Sequence, residues 1–271
     1  LSARARQSGD TTSFDAQANL ATGTDLDLAG ALSPVDGGYR LALDRVNLEQ
    51  GSLAARLANP AVLMVQGESV SLDALRFNVG SGSITATGTA GQALDMVVDI
   101  AELPLSIANA VAPDLGLSGT LNGRAVVSGQ ADDPQVSFEV RGGGIGATAI
   151  APFGIAPLTF NATGSFADEV VTLDGLSANG SGGLAVSGSG RVPLTGNGLS
   201  VALDGSAPLS LANRFVADRG ARVSGTVNFD ARVGGSLTSP QFTGSASTNG
   251  AEYVDPELNL RLTGIAGRVA L

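Results

Sequence analysis

Apolar and polar residues alternate along most of the chain, in runs of about five to ten positions that end at Gly, Asn or Asp. Clear runs are Tyr39, Leu41 and Leu43, then Leu94, Met96, Val98 and Ile100. Such alternation is typical of β-strands with one dry and one wet face. Dipeptides such as Gly37-Gly38 and Asn197-Gly198 favour tight turns or bulges between strands. The sequence therefore predicts an all-β protein built from a largely antiparallel sheet.

Helical periodicity is confined to short segments. Leu, Ile, Val and Ala recur at three-to-four spacing over residues 105 to about 112 and 209 to about 217. A weaker candidate covers residues 53–58 and would end before Pro60, because the residue before a proline is disfavoured in the helical conformation. We expect few helices, all of them short.

A unit of about 100 residues recurs along the chain. Residues 117–144 align without gaps with residues 223–250, and 10 of the 28 positions are identical. Just upstream, residues 104–109 return as residues 208–213.

Earlier in the chain, residues 68–78 return as residues 169–179, and Gly88 aligns with Gly188. The collinear matches favour an elongated, twisted sheet to which each unit adds length, rather than a closed globule. A parallel β-helix would repeat at about 20 residues, a period that the sequence does not show. We predict one continuous fragment with repeat units at about 1–103, 104–207 and an incomplete 208–271.

The apolar residues of successive strands fall on one side of the predicted sheet. With few helices to cover it, such a sheet must curl around its dry face, and an open curl leaves a groove along its length. The predicted groove-lining residues are Leu94, Met96, Val98, Ile100, Leu121, Ala125, Val127, Val136, Phe138, Val140, Leu158, Phe160, Val171, Leu173, Leu184, Val186, Leu199, Val201, Leu203, Val223, Val227, Phe229, Val233, Phe242, Leu258, Leu260 and Leu262.

The composition removes most catalytic chemistry. The chain contains no Lys, His, Cys or Trp, and its 15 basic residues are all Arg. Cys and His zinc sites, Ser-His-Asp triads and the Walker lysine are therefore excluded. A net charge of −10 without a basic cluster disfavours nucleic acid as a partner. We expect no catalytic residue, no metal site and no cofactor.

Two kinds of motif have a functional and a structural interpretation. The glycines of Gly144-Ile145-Gly146 would bind a pyrophosphate only between a strand and a helix, and no helix is predicted after them. Paired acids could ligate a cation, but they alternate with apolar residues or precede a proline, which favours wet strand faces and a turn. These pairs are Asp25 with Asp27, Asp95 with Asp99, and Asp132 with Asp133.

The spacing Leu117-Ser118-Gly119-Thr120, Gly129 and Pro134-Gln135, with its copy Val223-Ser224-Gly225-Thr226, Gly235 and Pro240-Gln241, resembles the translocation and assembly module family of TamB and its AsmA-like relatives. The run from Val171 to Leu176, followed by Gly188, is similar to the same family. The chain resembles an internal fragment of such a protein, a member of the repeating β-groove lipid-transfer superfamily.

The resemblance implies a U-shaped β-taco with an apolar interior, in the periplasm of a Gram-negative bacterium. It implies a longer protein that is anchored in the inner membrane, reaches the outer membrane and partners a barrel of the TamA type there. It also implies phospholipid transport and outer-membrane protein assembly. We expect the anchor and the contact with the barrel to lie outside these residues.

Three functions are compatible with the sequence. The first is a non-enzymatic groove that solvates lipid acyl chains between the two membranes. The second is a chaperone or assembly scaffold that offers sheet edges or the apolar face to barrel proteins without conducting lipid. The third is a structural β-solenoid of an adhesin or passenger domain, which a fully closed interior would support.

Overall fold

The computed structural model describes residues 2–19, 23–51, 53–110, 112–216 and 220–270. Within these ranges nineteen strands form one antiparallel sheet, which confirms the predicted all-β, antiparallel class with few short helices. The strands are β1 Ser2–Ser8, β2 Thr11–Asn19, β3 Thr24–Val35, β4 Gly38–Gln50, β5 Leu53–Leu57, β6 Ala61–Gln66, β7 Ser69–Val79, β8 Gly82–Ala90, β9 Ala93–Pro104, β10 Ser118–Gln130, β11 Asp133–Gly146, β12 Leu158–Ala167, β13 Val170–Gly180, β14 Leu184–Pro193, β15 Leu199–Pro208, β16 Arg222–Ser224, β17 Thr226–Ser236, β18 Ser239–Asp255 and β19 Leu260–Ala270.

Helical turns form at two of the three predicted segments. The chain is helical over Leu105–Ala110 and over Leu209–Ala212, which continues into α1, Asn213–Val216. Val111 and Ala217 lie outside the described residues. Further 3-10 turns are Pro113–Leu115, Ala151–Phe153 and Ser181–Gly183. Within the described ranges, no helix has the length and apolar character needed to span a bilayer.

The third predicted helix, over residues 53–58, is wrong, because this segment forms strand β5. Leu53, Ala55 and Leu57 alternate with polar or small residues, so the segment also fits a strand. Ala55 lies opposite Leu48 of β4, and Leu57 lies opposite Phe77 of β7. Pairing on both sides outweighs the local helix preference of a short segment.

The chain divides into two compact units, Leu1–Val140 and Arg141–Leu271. We call each position across the sheet a strand row, whether one strand or two short strands occupy it. In the first unit each strand row pairs with the next from β1 to β10, and β5 and β6 share one row between β4 and β7. In the second unit β12 to β19 follow one another likewise, and β16 and β17 share one row. The repeat boundaries near residues 103 and 207 stay a prediction.

The two copies of the helical turn hold the following strand in the same way. The side-chain amide of Asn109 donates to the carbonyl of Leu117 and accepts from its N–H, both at 2.8 Å. In the second copy, the side-chain oxygen of Asn213 accepts from the N–H of Val223 at 2.6 Å. Each asparagine therefore fixes the chain where it returns from the helical turn to the sheet.

A β-bulge recurs at corresponding positions of the two units. An extra residue separates Leu72 from Leu75 in β7, and another separates Leu173 from Leu176 in β13. Gly88 lies opposite Leu72, and Gly190 lies opposite Leu173. The strand register therefore matches Gly88 with Gly190, whereas the sequence alignment matched it with Gly188.

We predict that replacing Asn109 with Ala lowers the free energy of unfolding by about 1–3 kcal/mol, because Leu117 loses partners for both of its backbone groups. The measurement is the urea midpoint followed by circular dichroism. Ser106→Ala changes an exposed residue of the same helical turn and serves as the control. Equal midpoints for the two variants would contradict the role of Asn109.

Candidate functional site

Directly opposed residues of an antiparallel pair project from the same side of a sheet, so the register identifies the faces. In β9, Met96 lies opposite Val127 and Val98 lies opposite Ala125. On their other side, Val98 lies opposite Ala86 and Ile100 lies opposite Ile84. The predicted residues of β9 and β10 therefore share one side of the sheet, which we call the first apolar face.

The first apolar face extends through every strand row back to β2, which the sequence prediction did not include. It continues from Ile84 to Phe77 and from Leu72 to Leu63. The further members are Phe14, Leu26, Leu28, Leu32, Leu41, Leu43, Val46, Leu48, Val65, Val70 and Val79. The same alternation that indicated β9 is present in Leu26 and Leu28, and in Leu41 and Leu43, so the signal was available in the sequence.

Strand β11 presents Val136, Phe138 and Val140 as half-buried residues between exposed neighbours. A Cγ atom of Val140 lies 2.9 Å from the point that a Cβ on Gly123 would occupy. Gly123 lies opposite Ile100, so Val140 belongs to the first apolar face, and alternation places Phe138 and Val136 there too. Leu121 lies opposite Leu103, beyond a bulge.

The second unit carries an equivalent surface, which we call the second apolar face. Val171 and Leu173 lie opposite Val192 and Gly190, and Val186 lies opposite Ala178. Leu158 and Leu184 both approach Gly180. The face continues through Val201, Leu203, Val227, Phe229, Val233 and Phe242, in pairs such as Val201 with Val233 and Val233 with Phe242. Leu199 shares the parity of Val201 and is buried.

The predicted residues at the end of the chain are partly corrected. Leu262 and Val223 each lie opposite Tyr253, and Leu260 lies opposite Asp255, so these three share one side. Leu258 was predicted in a strand, and that prediction is wrong. It lies in the turn between β18 and β19 and is 68% exposed. Its N–H donates to the buried carboxylate of Asp255 at 3.1 Å, which closes the turn.

Most residues of the two faces remain partly accessible to solvent. The buried apolar residues of the described ranges are Val46, Ala61, Leu72, Val79, Ala162, Leu199, Ala221 and Ala251. A protein layer packed over either face would bury its Leu, Val, Ile and Phe residues to the same extent. At the edge of the second face, Phe242 is 66% exposed. Both faces therefore offer apolar surface that the protein itself does not cover.

An apolar cavity of about 320 Å³ continues the second apolar face at one end of β15 and β17. Ala207 and Val227, which are directly opposed, form part of its wall. The rest is formed by Ile155, Pro208, Leu209, Leu211, Ala212 and Phe215. The helical turn after β15 thus extends the apolar surface beyond the strands.

Charged residues occupy the opposite side of the sheet. The guanidinium of Arg45 contacts Asp27 at 2.9 Å and Asp15 at 3.0 Å, and its hydrogen bond and charge interaction with Asp27 raise the pKa of Arg45 above the ordinary value. Arg124 lies opposite Asp99 and contacts it at 3.1 Å. Asp27 and Asp99 therefore lie on the wet face, as their alternation with apolar residues predicted, and there they form ion pairs.

The structure also places the other acidic residues of the candidate pairs and the glycine motif. Asp25 accepts a hydrogen bond from the amide of Asn19 at 2.7 Å, and Asp132 lies in the turn between β10 and β11. Gly144 and Gly146 belong to strand β11. The next helical element, Ala151–Phe153, is a single 3-10 turn, which does not supply the helix that a pyrophosphate site needs.

The chemistry available on the apolar faces is solvation of hydrocarbon. Contacts between aliphatic or aromatic groups and alkyl chains have no directional requirement, so they accept many chain types in many positions. The charged residues that are paired across β12 to β15 are Arg191, opposite Thr172 and Ser200, and Asp204, opposite Ser187, and both lie on the side away from the second apolar face. A hydrocarbon chain can therefore lie across several strands without meeting an unpaired charge.

A family model described as TamB, N-terminal domain, matches residues 2–247. The match covers nearly all of both apolar faces. Neither a curated protein nor a solved structure matches the chain.

We predict that a solvent-sensitive dye distinguishes the two sides of β15. The chain has no natural cysteine, so acrylodan attached to Leu203→Cys reports on the second apolar face, and on Ala202→Cys it reports on the opposite side. Emission from position 203 should lie at shorter wavelength, because the dye rests against apolar side chains. The reverse order would show that the register is shifted by one residue.

Proposed function

This chain belongs to the TamB family, and from that premise we propose that it is a non-enzymatic segment of a periplasmic bridge that shields lipid acyl chains during phospholipid transport between the inner and outer membranes. One observation carries the proposal. In each unit, the strand register joins the apolar residues of successive strands into one surface that stays partly exposed. An apolar surface of this extent needs a partner that removes it from water.

The energetics support a lipid as that partner. Each methylene moved from hydrocarbon into water costs about 0.8 kcal/mol, so a chain of about 15 methylenes costs roughly 12 kcal/mol. Contact with the apolar faces replaces water along the chain and removes much of this cost. A curl of the sheet around these faces, as the family resemblance implies, would cover the chain on more than one side.

The lack of polar groups on the faces suits transport better than selective binding. A site that holds one ligand fixes its orientation with a few hydrogen bonds or charges. On these faces the contacts are aliphatic, so a chain that slides by one strand exchanges one set of contacts for an equivalent set. The residues in this proposal solvate the chain, and none of them acts as a catalyst.

We propose that lipid transport is linked to outer-membrane protein assembly, with a barrel of the TamA type as the protein partner. The support is the family itself, and the surface that meets the barrel is not assigned to residues of this chain. A chaperone scaffold that binds unfolded strands on the same apolar faces is the competing function. Crosslinks from the faces to nascent barrel protein, without recovered lipid, would favour it.

We predict that the detergent-free protein carries phospholipid, measured by native mass spectrometry with lipid extraction. Val227→Arg should reduce the bound lipid by roughly tenfold or more, because an unpaired charge against hydrocarbon costs about 2.5–3.5 kcal/mol. Phe138→Asp should act in the same direction on the first apolar face.

Asn228→Arg is the matched control for Val227→Arg, since Asn228 is the next residue and points to the opposite, exposed side. All variants are compared at equal folded content by circular dichroism. Normal lipid content in Val227→Arg and Phe138→Asp would refute the acyl-chain role. A folded wild-type protein without lipid would favour the assembly scaffold instead.

A further inference from the structure

Three phenylalanines of the apolar faces occupy the same kind of position. Each lies between a glycine on one neighbouring strand and an alanine on the other. The sets are Phe14 between Gly30 and Ala5, Phe160 between Gly142 and Ala178, and Phe229 between Gly205 and Ala246. One set belongs to the first unit and two belong to the second.

In all three sets the aromatic ring lies over the glycine. The Cζ atom of Phe14 is 2.8 Å from the point that a Cβ on Gly30 would occupy. For Phe160 over Gly142 the Cδ1 distance is 2.6 Å, and for Phe229 over Gly205 the Cε1 distance is 3.0 Å. These distances are shorter than normal carbon contacts of about 3.5–4.0 Å, so each ring occupies space that any other residue would fill with its Cβ.

The glycine determines how far the ring projects from the sheet. Side chains in a strand stand roughly perpendicular to the sheet when both neighbours carry side chains of their own. A glycine leaves the backbone of the next strand bare, so the ring can lie down on it and still bury one of its faces. The apolar layer is therefore thin at these positions, although Phe is among the largest apolar residues.

We infer that Gly142, Gly205 and Gly30 keep the apolar faces thin at these positions by holding these rings flat, and so fix the space left for acyl chains. The inference rests on the proposed function and adds specificity-determining residues to it. A larger residue in place of the glycine lifts the ring into the volume that the hydrocarbon occupies. The variant then binds less lipid even though it gains apolar surface.

Gly142 offers the cleanest test of the three. A Cβ on Gly30 or Gly205 would also collide with a backbone carbonyl, of Ala42 or Ala185 respectively. At Gly142 the three nearest atoms all belong to the ring of Phe160. Its backbone does not have the positive φ that favours glycine, so alanine is tolerated there and the collision is relieved by movement of the ring.

The test compares Gly142→Ala with two further variants of the 271-residue chain. Gly142→Ala combined with Phe160→Val removes the colliding ring and should restore lipid content. Gly234→Ala adds the same methyl group on the opposite side of the sheet, opposite Ser200, where the nearest heavy atom is the carbonyl oxygen of Leu199 at 3.8 Å, and should leave lipid content unchanged. Native mass spectrometry of detergent-free protein gives phospholipid bound per folded chain.

Gly142→Ala alone should lower the phospholipid content by roughly tenfold, because relief of overpacking displaces the ring into the lipid volume. A second measurement follows the ring without lipid. Para-fluorophenylalanine at position 160 is observed by fluorine NMR, and its line should broaden more with a soluble nitroxide in Gly142→Ala than in the wild type.

The outcomes separate this inference from the proposed function. A ring that does not become more accessible in Gly142→Ala overturns the inference. A displaced ring with unchanged phospholipid overturns it as well, while the acyl-chain role stands. If the wild-type protein carries no phospholipid, the proposed function and the inference are both overturned, even when the ring is displaced in Gly142→Ala.

Discussion

Strand register is the constraint on which the rest of this structure depends. Side chains alternate between the two sides of a strand, so a shift of one residue exchanges the apolar and the charged side. Arg45, for example, would then face hydrocarbon, and Val46 would face its carboxylate partners. Continuity of the apolar faces therefore requires every strand row to keep the register of the row before it.

The bulges show how the sequence meets this constraint. Before the bulge in β7 the apolar residues have even numbers, Val70 and Leu72, and after it they have odd numbers, Leu75 and Phe77. The extra residue reverses the parity of the chain, and the hydrophobic pattern reverses at the same place. Each strand thus bends without transferring apolar side chains to the wet side.

The same feature explains how much of the fold and of the apolar faces was predictable. Strict alternation predicted the all-β class and the apolar side of most strands. The predicted residues of β13 stop at Leu173, although Leu176 lies on the same side beyond the bulge. A bulge is set by pairing between strands, so a single segment does not reveal it. The strand at 53–57 depends in the same way on contacts outside the segment. The turn at Leu258 is local instead, because it is closed by the hydrogen bond to Asp255 three residues earlier.

Several glycines inside the strands follow from a surface that is apolar without being filled. In a closed core, large side chains from two layers interdigitate and exclude space. In the proposed role a single layer must be apolar and also leave room above it, so large residues lie beside glycine on neighbouring strands. The aliphatic side chain of Leu203 lies over Gly188, just as the ring of Phe229 lies over Gly205.

The separation of charge and hydrocarbon between the two sides of the sheet also limits what this segment can select. A lipid headgroup is recognised by charges and hydrogen bonds, and the ion pairs of Arg45 and Arg124 lie on the side away from the apolar faces. In the proposed role, the described residues paired across β12 to β15 therefore place no charged neighbour on the second apolar face that could bind a headgroup. Selection among headgroups requires polar groups at the rim of the apolar surface or in a partner, whereas the strands themselves distinguish only hydrocarbon from water.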